Sequence, residues 1–245
     1  DFQDITFADN KVGNTDLTNG GANSIGDCGG NSRTLGTGNL VMTTAAAQTW
    51  TNAAGGNWST AANWTSRVPL PQDDVNMAVA GGYNTGVTVT ADMPRLGKSI
   101  DWTGATWAGT ATTFAVGSAV TNYGSLTLIS GITVPSWGIY NWTFAGRSNY
   151  TITSAGKTLG GGTGGNVYVA APTGTYTLAD AMVINSGAGY GIIVNNGTFN
   201  TAGYSLTTAG FVSNNSNTRA VNISNSLITI TSYGINSAWN FGTTT

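Results

Sequence analysis

Asp73 and Asp74 form the only pair of adjacent carboxylates in the chain, so they are the first candidates for acid–base chemistry. A glycosidase needs two carboxyl groups roughly 5 to 9.5 Å apart across a sugar bond. Adjacent residues of a strand point to opposite faces of a sheet, which would keep this pair out of a shared cleft. The proline-containing residues 68–71 before them favour a turn in which an aspartate accepts hydrogen bonds from backbone N–H groups.

A second group of charged residues consists of Asp92, Arg95, Lys98 and Asp101. These four residues could form a small site, and Lys98 could in principle serve a lyase, but no His or Tyr accompanies it in a recognisable pattern. Charges near a corner of a fold favour solvated ion pairs, each worth under about 1 kcal/mol. We therefore expect ion pairs between the two aspartates and the neighbouring Arg95 and Lys98.

The residue types that carry most enzyme chemistry are nearly absent, because the chain has no His, no Glu and one Cys, Cys28. Proton transfer, zinc binding and nucleophilic attack draw mainly on these three types. A single Cys also cannot form an internal disulfide bond, so packing and hydrogen bonds must hold the fold. We therefore predict a protein that is not an enzyme, with no catalytic residue, no cofactor and no metal ligand.

Two further segments invite comparison with ligand sites. Carboxylate and amide oxygens suit calcium, but their spacing near the N-terminus fits neither an EF-hand nor a Gly-Gly-x-Gly-x-Asp repeat. The residues concerned are Asp9, Asn10, Asn14, Asp16 and Asn19. The Gly-rich run at residues 160–165 lacks the Gly-Lys-Ser/Thr ending and the following helix of a phosphate loop, so it predicts a corner.

Eight Trp residues raise the question of sugar binding, because exposed indole rings can stack on sugar faces. A row of exposed rings would suit a glycan, whereas rings turned inward would fill the core. The second alternative is favoured, since buried aromatic side chains dominate core energetics. Most of these residues occur close together in sequence: Trp50, Trp58, Trp64, Trp102, Trp107, Trp137 and Trp142.

Charge and hydropathy exclude several partners. The formal net charge is −2 and the sequence pI is about 4.7, and no basic stripe exists to bind nucleic acid. No apolar stretch reaches the roughly 18 residues that a membrane span needs. The first residues lack the basic and apolar segments of a signal peptide, so we expect a mature or trimmed fragment.

The elements that must position these residues are short strands. Helical periodicity is missing, and the strong helix formers are sparse. Runs rich in β-branched and aromatic residues are bounded instead by Gly, Asn and Ser, which is typical of strands joined by turns. They lie at residues 87–90, 126–129, 150–153, 167–169, 191–194 and 227–230.

The second half of the chain repeats. Segments 153–159, 177–183, 200–206 and 223–229 share an extended–turn–extended shape and begin 24, 23 and 23 residues apart. A fixed period of this length indicates a solenoid, in which stacked coils bury one continuous core. We predict an all-β fold, a right-handed parallel β-helix over residues 48–245, with about eight coils in a rod of roughly 40 Å.

Two points of organisation stay open. A β-sandwich or barrel also uses many short strands, and the Asn-Gly pair at residues 196–197 is a hairpin signal that favours it. Residues 1–47 differ in composition, with five of the ten Asp residues and dense Gly and Asn. We interpret them as an irregular N-terminal cap of the stack or the tail of a preceding unit.

From residue 55 onward the sequence resembles Trp/Asn-rich repeat proteins of phages and environmental bacteria. The opening motif is GGNWS at 55–59, ANW at 62–64 and VPLPQDDV at 68–75, and a looser form of it opens repeats in autotransporter-type passenger β-helices. The likeness continues at 91–95, 123–128, 154–159, 217–219 and 238–241, and so covers most of the chain. The resemblance implies an extracellular or virion-borne β-solenoid in a fibre, decoration or adhesive role, and no catalytic motif.

These observations favour a non-catalytic structural and adhesive module of a phage virion, as part of a fibre, spike or decoration protein. The partners would be other virion or surface proteins and host glycans, at the virion surface or outside the cell. A secreted bacterial adhesin or surface-fibre segment is the first alternative, and a polysaccharide-degrading tailspike enzyme is the second. A homotrimer is one assembly open to such proteins, although the sequence has no coiled-coil heptads to enforce it.

Overall fold

The fold is a stack of short β-strands. The computed structural model describes residues 2–4, 6–7, 25–33, 42–162, 164–187, 190–232 and 238–242. Within these ranges the chain forms 21 strands and one short 3-10 helix, Ala61–Asn63, which confirms the predicted all-β class. Across the same ranges, no helix is long and apolar enough to cross a membrane.

Most strands have two to five residues, and only β14 and β16 are much longer. The first eleven are β1 (Thr6–Phe7), β2 (Ser32–Arg33), β3 (Gln48–Thr49), β4 (Gly56–Asn57), β5 (Val75–Asn76), β6 (Thr88–Ala91), β7 (Ile100–Asp101), β8 (Thr113–Val116), β9 (Val120–Asn122), β10 (Leu126–Thr127) and β11 (Trp142–Phe144). The others are β12 (Asn149–Thr153), β13 (Thr158–Leu159), β14 (Val167–Leu178), β15 (Met182–Ile184), β16 (Ile192–Asn200), β17 (Leu206–Thr208), β18 (Phe211–Val212), β19 (Arg219–Asn222), β20 (Ile228–Ile230) and β21 (Trp239–Asn240).

These strands stack in parallel, one coil on the next. Gln48, Val75, Ile100, Leu126 and Ile152 are successive register partners, 27, 25, 26 and 26 residues apart. The stack makes about seven turns, so the predicted parallel solenoid is confirmed. The predicted eight coils were based on the shorter period of the second half, and the first coils are longer.

Each coil has three faces, because the chain turns between them and returns one coil further along. Face A consists of β9, β11, the first parts of β14 and β16, β18 and β21. Face B consists of β3, β5, β7, β10, β12, the second parts of β14 and β16, and β19. Face C consists of β4, β6 and β8 in the early coils and β13, β15, β17 and β20 in the later ones.

The Asn-Gly pair at residues 196–197 does not form a hairpin. Gly197, with φ +74°, bends β16 between faces A and B while both parts stay in parallel ladders. A Cβ atom at this position would lie 2.0 Å from the Ala171 carbonyl oxygen of the preceding coil, so only glycine fits. The sandwich and barrel alternatives are therefore wrong.

A column of aromatic rings runs through the core. Seven rings follow one another with centroids 4.9–6.4 Å apart, and all seven side chains are buried. Such pairs contribute about 0.5–1.5 kcal/mol each beyond their burial. The column therefore joins coils that are distant in sequence: Trp64, Trp50, Trp58, Phe114, Trp142, Phe144 and Tyr176.

The N-terminal end of the stack is closed by the chain itself. The Thr51 N–H donates to the Asn63 carbonyl (2.8 Å), and the Thr65 N–H donates to the Thr49 carbonyl (3.1 Å). Residues 63–65 thus run antiparallel along the outer edge of β3. The Trp64 ring packs edge-on against Trp50 at 4.9 Å and covers the first coil. No further coil can continue the sheet from this edge.

The described part of residues 1–47 lies along the side of the stack. The Asp27 N–H donates to Gln72 Oε1 (2.8 Å), and Asp4 forms an ion pair with Arg147, several coils away. Cys28 is buried against Tyr123 and Ala145. The boundary at residue 47 and the role of this segment as a cap stay predictions.

Candidate functional site: a groove at the corner between faces A and B

The structure separates Asp73 from Asp74. The Asp73 carboxylate is fully buried and accepts hydrogen bonds from the Arg67 side chain (2.7 and 3.1 Å), the Leu70 N–H (2.9 Å) and the Ala46 N–H (2.8 Å). The Asp74 side chain is 54% exposed and lies 3.3 Å from Lys98 Nζ. The predicted turn, in which an aspartate accepts hydrogen bonds from backbone N–H groups, is therefore confirmed. Asp73 fixes this loop, and its two oxygens already accept hydrogen bonds from protein donors.

The ion pairs expected around Arg95 are not formed as predicted. Asp92 accepts hydrogen bonds from the N–H and hydroxyl of Ser59 (2.9 and 2.7 Å), and Asp101 accepts one from the Thr103 N–H (2.8 Å). Lys98 instead pairs with Asp74. The expectation was wrong because the carboxylates accept hydrogen bonds from nearby groups instead: Asp101 from the backbone of its own turn, and Asp92 from Ser59 on a neighbouring coil. Short polar side chains often form such bonds with nearby backbone.

Arg95 contacts a buried cluster that the sequence did not reveal. The charge of the Arg95 guanidinium acts on the Tyr123 phenol, and Tyr123 is buried in one cluster with Cys28. Burial raises the pKa of Tyr123 well above its ordinary value, although the Arg95 charge acts in the opposite direction. Burial by itself lowers the pKa of Arg95, but the interactions with Tyr123 and Cys28 together have the larger effect. The pKa of Arg95 is therefore raised above its ordinary value. The cluster attaches the N-terminal segment to the side of the stack.

The proposed ligand segments differ in outcome. The calcium candidates Asp9, Asn10, Asn14, Asp16 and Asn19 lie outside the described residues. Among the residues that are described, no three His, Cys, Asp or Glu side chains approach closely enough to hold a metal ion.

The Gly-rich run forms the predicted corner. The Gly161 N–H donates to the Gly165 carbonyl (3.1 Å), and the Gly165 N–H donates to the Gly138 carbonyl (3.0 Å) of the preceding coil. Because the N–H groups of Gly161, Gly164 and Gly165 bond to neighbouring backbone, the turn does not present these three to a phosphate group.

Most of the Trp residues face the core. Six are at most 5% exposed and Trp107 is half-buried, so a surface row of these rings does not exist. The prediction that Trp side chains fill the core is confirmed for six residues: Trp50, Trp58, Trp64, Trp102, Trp137 and Trp142. Trp239 differs, because it is 49% exposed on the last described strand.

A difference in corner length between neighbouring coils creates a groove. Ala170 pairs with Asn196 and Thr175 pairs with Thr198, so β14 has four residues at the corner where β16 has only Gly197. The corner of β14 therefore projects on one side, and residues 213–218 lie on the other. Between them is a groove of about 500 Å³. Six of its ten lining residues have polar side chains: Thr173, Asn196, Thr198, Asn217, Thr218 and Arg219.

Two features of this corner groove are typical of binding sites. The Oδ1 atom of Asn196 is buried and accepts no hydrogen bond from any described residue. Thr173 has φ +64°, a conformation that β-branched residues rarely adopt and that costs roughly 1–3 kcal/mol. An unsatisfied acceptor and a strained residue therefore lie on the same groove.

The positive charge in the groove is used by the protein itself. Arg219 Nε donates to Ser213 Oγ (2.7 Å), and its Nη atoms donate to the carbonyls of Ser213 (2.8 Å), Asn217 (3.1 Å) and Gly242 (3.1 Å). These bonds fix the loop that forms one wall. Because the guanidinium donors are occupied, the groove suits a neutral ligand with hydroxyl groups better than an anion.

Comparison with known proteins does not place the chain in a family. No family model matches it, and neither a curated protein nor a solved structure matches it. The resemblance to phage and environmental repeat proteins stays a prediction.

Proposed function

We propose that this chain is a non-catalytic structural and adhesive module, a rigid β-solenoid segment of a phage fibre, spike or decoration protein. The observation that carries the proposal is the unbroken ladder of parallel strands from Gln48 to Asn222 around one buried hydrophobic core. Each inner coil is hydrogen-bonded to the coil before it and to the coil after it. Bending such a rod would break hydrogen bonds and ring contacts together, which suits a load-bearing spacer.

The adhesive part of the proposal concerns the corner groove. Its amide and hydroxyl side chains can exchange hydrogen bonds with sugar hydroxyls, and Asn196 Oδ1, which is buried without a donor from the described residues, would accept a sugar O–H once its amide turns toward the groove. The groove crosses neighbouring coils, whose spacing of about 4.8 Å is close to the length of one hexose in an extended glycan. A neutral host-surface oligosaccharide is therefore the ligand class that we propose.

The alternatives differ in location or in chemistry. A secreted bacterial adhesin would use the same stack and the same groove. The virion proposal and the adhesin proposal therefore differ only in the location of the protein, on a phage particle or on a bacterial surface. A tailspike enzyme would need carboxylates aimed at a sugar bond. The burial of Asp73 against Arg67 supports the non-catalytic proposal, since this carboxylate holds a loop.

An array of neutral oligosaccharides tests the adhesive proposal. We expect the purified chain to bind a subset of them, and Asn196→Ala to weaken that binding at least tenfold with an unchanged circular dichroism spectrum. Asn84→Ala, at an exposed position on an early coil, is the matched control and should bind like the unaltered chain. Absence of binding to every glycan, or equal binding by Asn196→Ala, would contradict the glycan proposal.

Labelling with antibodies separates virion from envelope. Antibodies against the chain should decorate intact phage particles under the electron microscope. Decoration of bacterial envelopes alone would replace the virion proposal with the adhesin.

A further inference from the structure

The corner groove has little charge, which narrows the sugars that it can bind. Arg219 is the only charged residue among the described residues that line it, and its donors are bonded to Ser213 and to loop carbonyls. The carboxylate of an acidic sugar would therefore find these donors already occupied. The ammonium group of a free amino sugar would meet a like charge. Neutral sugar residues fit the groove best.

Asn196 presents a hydrogen-bond donor to this groove. Its Oδ1 atom is buried and accepts no hydrogen bond from any described residue, whereas its Nδ2 atom is not buried. No described residue accepts a hydrogen bond from Nδ2 either. As the side chain stands, the free group is therefore an amide N–H, and an acceptor on the ligand complements it. A carbonyl oxygen is such an acceptor, with two lone pairs and no proton of its own to place.

Part of the groove wall is bare backbone. A Cβ atom on Gly174 would lie 2.1 Å from the Gly146 carbonyl oxygen, and one on Gly197 would lie 2.7 Å from the Gly174 carbonyl oxygen. Only glycine therefore lets these successive coils approach so closely, and no side chain covers the wall at these two positions. Pro172 and Ala220 also line the groove. These four lining residues give it apolar surface as well as polar groups.

An acetamido group matches this combination of a free donor and apolar surface. Its carbonyl oxygen can accept a hydrogen bond from Asn196 Nδ2, and its methyl group can leave water against the bare backbone. A sugar hydroxyl in the same place supplies no methyl group. One buried methyl group and one additional hydrogen bond correspond to binding that is at least about tenfold tighter.

We propose that the corner groove selects N-acetylated hexosamines, with the acetamido carbonyl on Asn196 Nδ2 and the acetamido methyl on the glycine backbone between Pro172 and Ala220. The hydroxyl groups of Thr173 and Thr198 then bind hydroxyl groups of the sugar ring. This inference rests on the adhesive function proposed above, because it names the sugar that the same groove distinguishes.

A series of three ligands tests the selection on the unaltered chain. Chitotetraose, cellotetraose and the glucosamine tetrasaccharide share one linkage and differ only in whether the same ring carbon carries an acetamido, a hydroxyl or an amino group. Calorimetric titration at mildly acidic pH should give chitotetraose a dissociation constant at least about tenfold lower than that of cellotetraose. The protonated glucosamine tetrasaccharide should bind most weakly. Equal binding of chitotetraose and cellotetraose would overturn the inference.

Asn196→Asp separates the donor from the shape of the side chain. The two side chains have nearly the same shape, but an aspartate has no donor for a carbonyl oxygen. The variant should therefore lose the preference for chitotetraose over cellotetraose. Asn84→Asp makes the same change at an exposed position on an early coil and should keep the full preference. Far-UV circular dichroism shows whether both variants are folded, and a preference that survives in folded Asn196→Asp would refute the assigned contact.

Nuclear magnetic resonance gives a measurement that does not need a variant. Saturation transferred from the unaltered chain to chitotetraose should be strongest at the acetamido methyl protons, because these protons lie against the groove wall. The side-chain amide resonances of Asn196 should shift more with chitotetraose than with cellotetraose. Stronger transfer to the ring protons than to the methyl protons would contradict the proposed orientation of the sugar.

The same results separate this inference from the adhesive proposal. Glycans without an acetamido group that bind as tightly as those with one would overturn the selection and leave the groove a site for neutral sugars. Absence of binding to every glycan of the array would overturn both proposals.

Discussion

The indole Nε1–H of Trp142 donates a hydrogen bond to Oδ1 of Asn122, 2.7 Å away, and both side chains are buried between neighbouring coils. The Asn122 Nδ2 group donates in turn to the carbonyls of Gly124 (2.6 Å) and Lys98 (3.4 Å). One amide thus satisfies polar groups from three successive coils. A polar network that is fully satisfied can specify a single register where apolar packing alone would tolerate several.

The first prediction concerns this pair. Asn122→Ala should lower the free energy of unfolding by about 2–3 kcal/mol, because it leaves the Trp142 N–H buried without its acceptor. Trp142→Phe removes the donor, and the double variant should cost less than the sum of the two single variants by about 1 kcal/mol. Urea denaturation of all four proteins measures this coupling. Strict additivity would show that the hydrogen bond contributes nothing specific.

A second prediction separates the two adjacent aspartates. Asp73→Asn should destabilise the chain by roughly 3 kcal/mol, because it leaves the Arg67 charge without its buried partner, although the Arg67 side chain is 24% exposed. Asp74→Asn, at a side chain that is 54% exposed, should cost under about 1 kcal/mol. Thermal melts of the two variants make the comparison. If the chain cleaved a polysaccharide and a folded Asp73→Asn variant lost only that activity, the structural role would be refuted.

The third prediction uses strain at a repeated corner. Ala202 is exposed and has φ +53°, where Asn is tolerated better than Ala. Ala202→Asn should therefore stabilise the fold by about 0.5–1 kcal/mol. Ala181, which is exposed near the equivalent corner one coil earlier, does not have a positive φ. Ala181→Asn should give no such gain, and a similar gain from both substitutions would rule out strain as the cause.

Alkaline pH provides a fourth test. Burial raises the pKa values of Tyr83 and Tyr176 well above 10, the ordinary value. The unfolded chain then loses these protons near pH 10 while the native chain keeps them. Stability should therefore be complete below pH 10 and fall above it, by about 1.4 kcal/mol per pH unit for each such tyrosine.

Tyr83→Phe isolates one of these tyrosines. Denaturation curves between pH 9 and 11 should show a shallower decline for this variant than for the unaltered chain. Tyr204→Phe, at a side chain that is 43% exposed, is the control and should keep the original slope. Equal slopes in all three proteins would mean that Tyr83 ionises in the native fold as readily as in the unfolded chain.

The sequence predicted the repeated architecture because its signals are local. Segments 153–159 and 177–183 carry their strands and their turn within a few residues, so their spacing reveals the coil directly. Their strands do stack: Thr158 pairs with Val183, and Leu159 with Ile184. The inward direction of most Trp side chains also followed from simple burial energetics.

The corner groove and the closed end could not be predicted in the same way. The groove exists because β14 and β16 differ by three residues at one corner, and no local pattern states which residues of two coils face each other. The antiparallel return of residues 63–65 also departs from the repeat. The ion pair between Arg67 and Asp73 had a weak signal in the sequence, since the two residues are only six positions apart. Proximity in sequence alone did not show that their side chains would meet inside one loop.

The claim on which all these arguments depend is that coils distant in sequence lie directly over one another in parallel register. Nitroxide labels on Thr151 and on one of its successive partners, Thr177, Asn200 or Asn222, test it in a Cys28→Ala background. We expect dipolar broadening of the electron paramagnetic resonance spectrum to decrease in that order, since each coil adds about 4.8 Å. Broadening that is absent from the Thr151 and Thr177 pair, or that does not follow this order, would contradict the stacked solenoid.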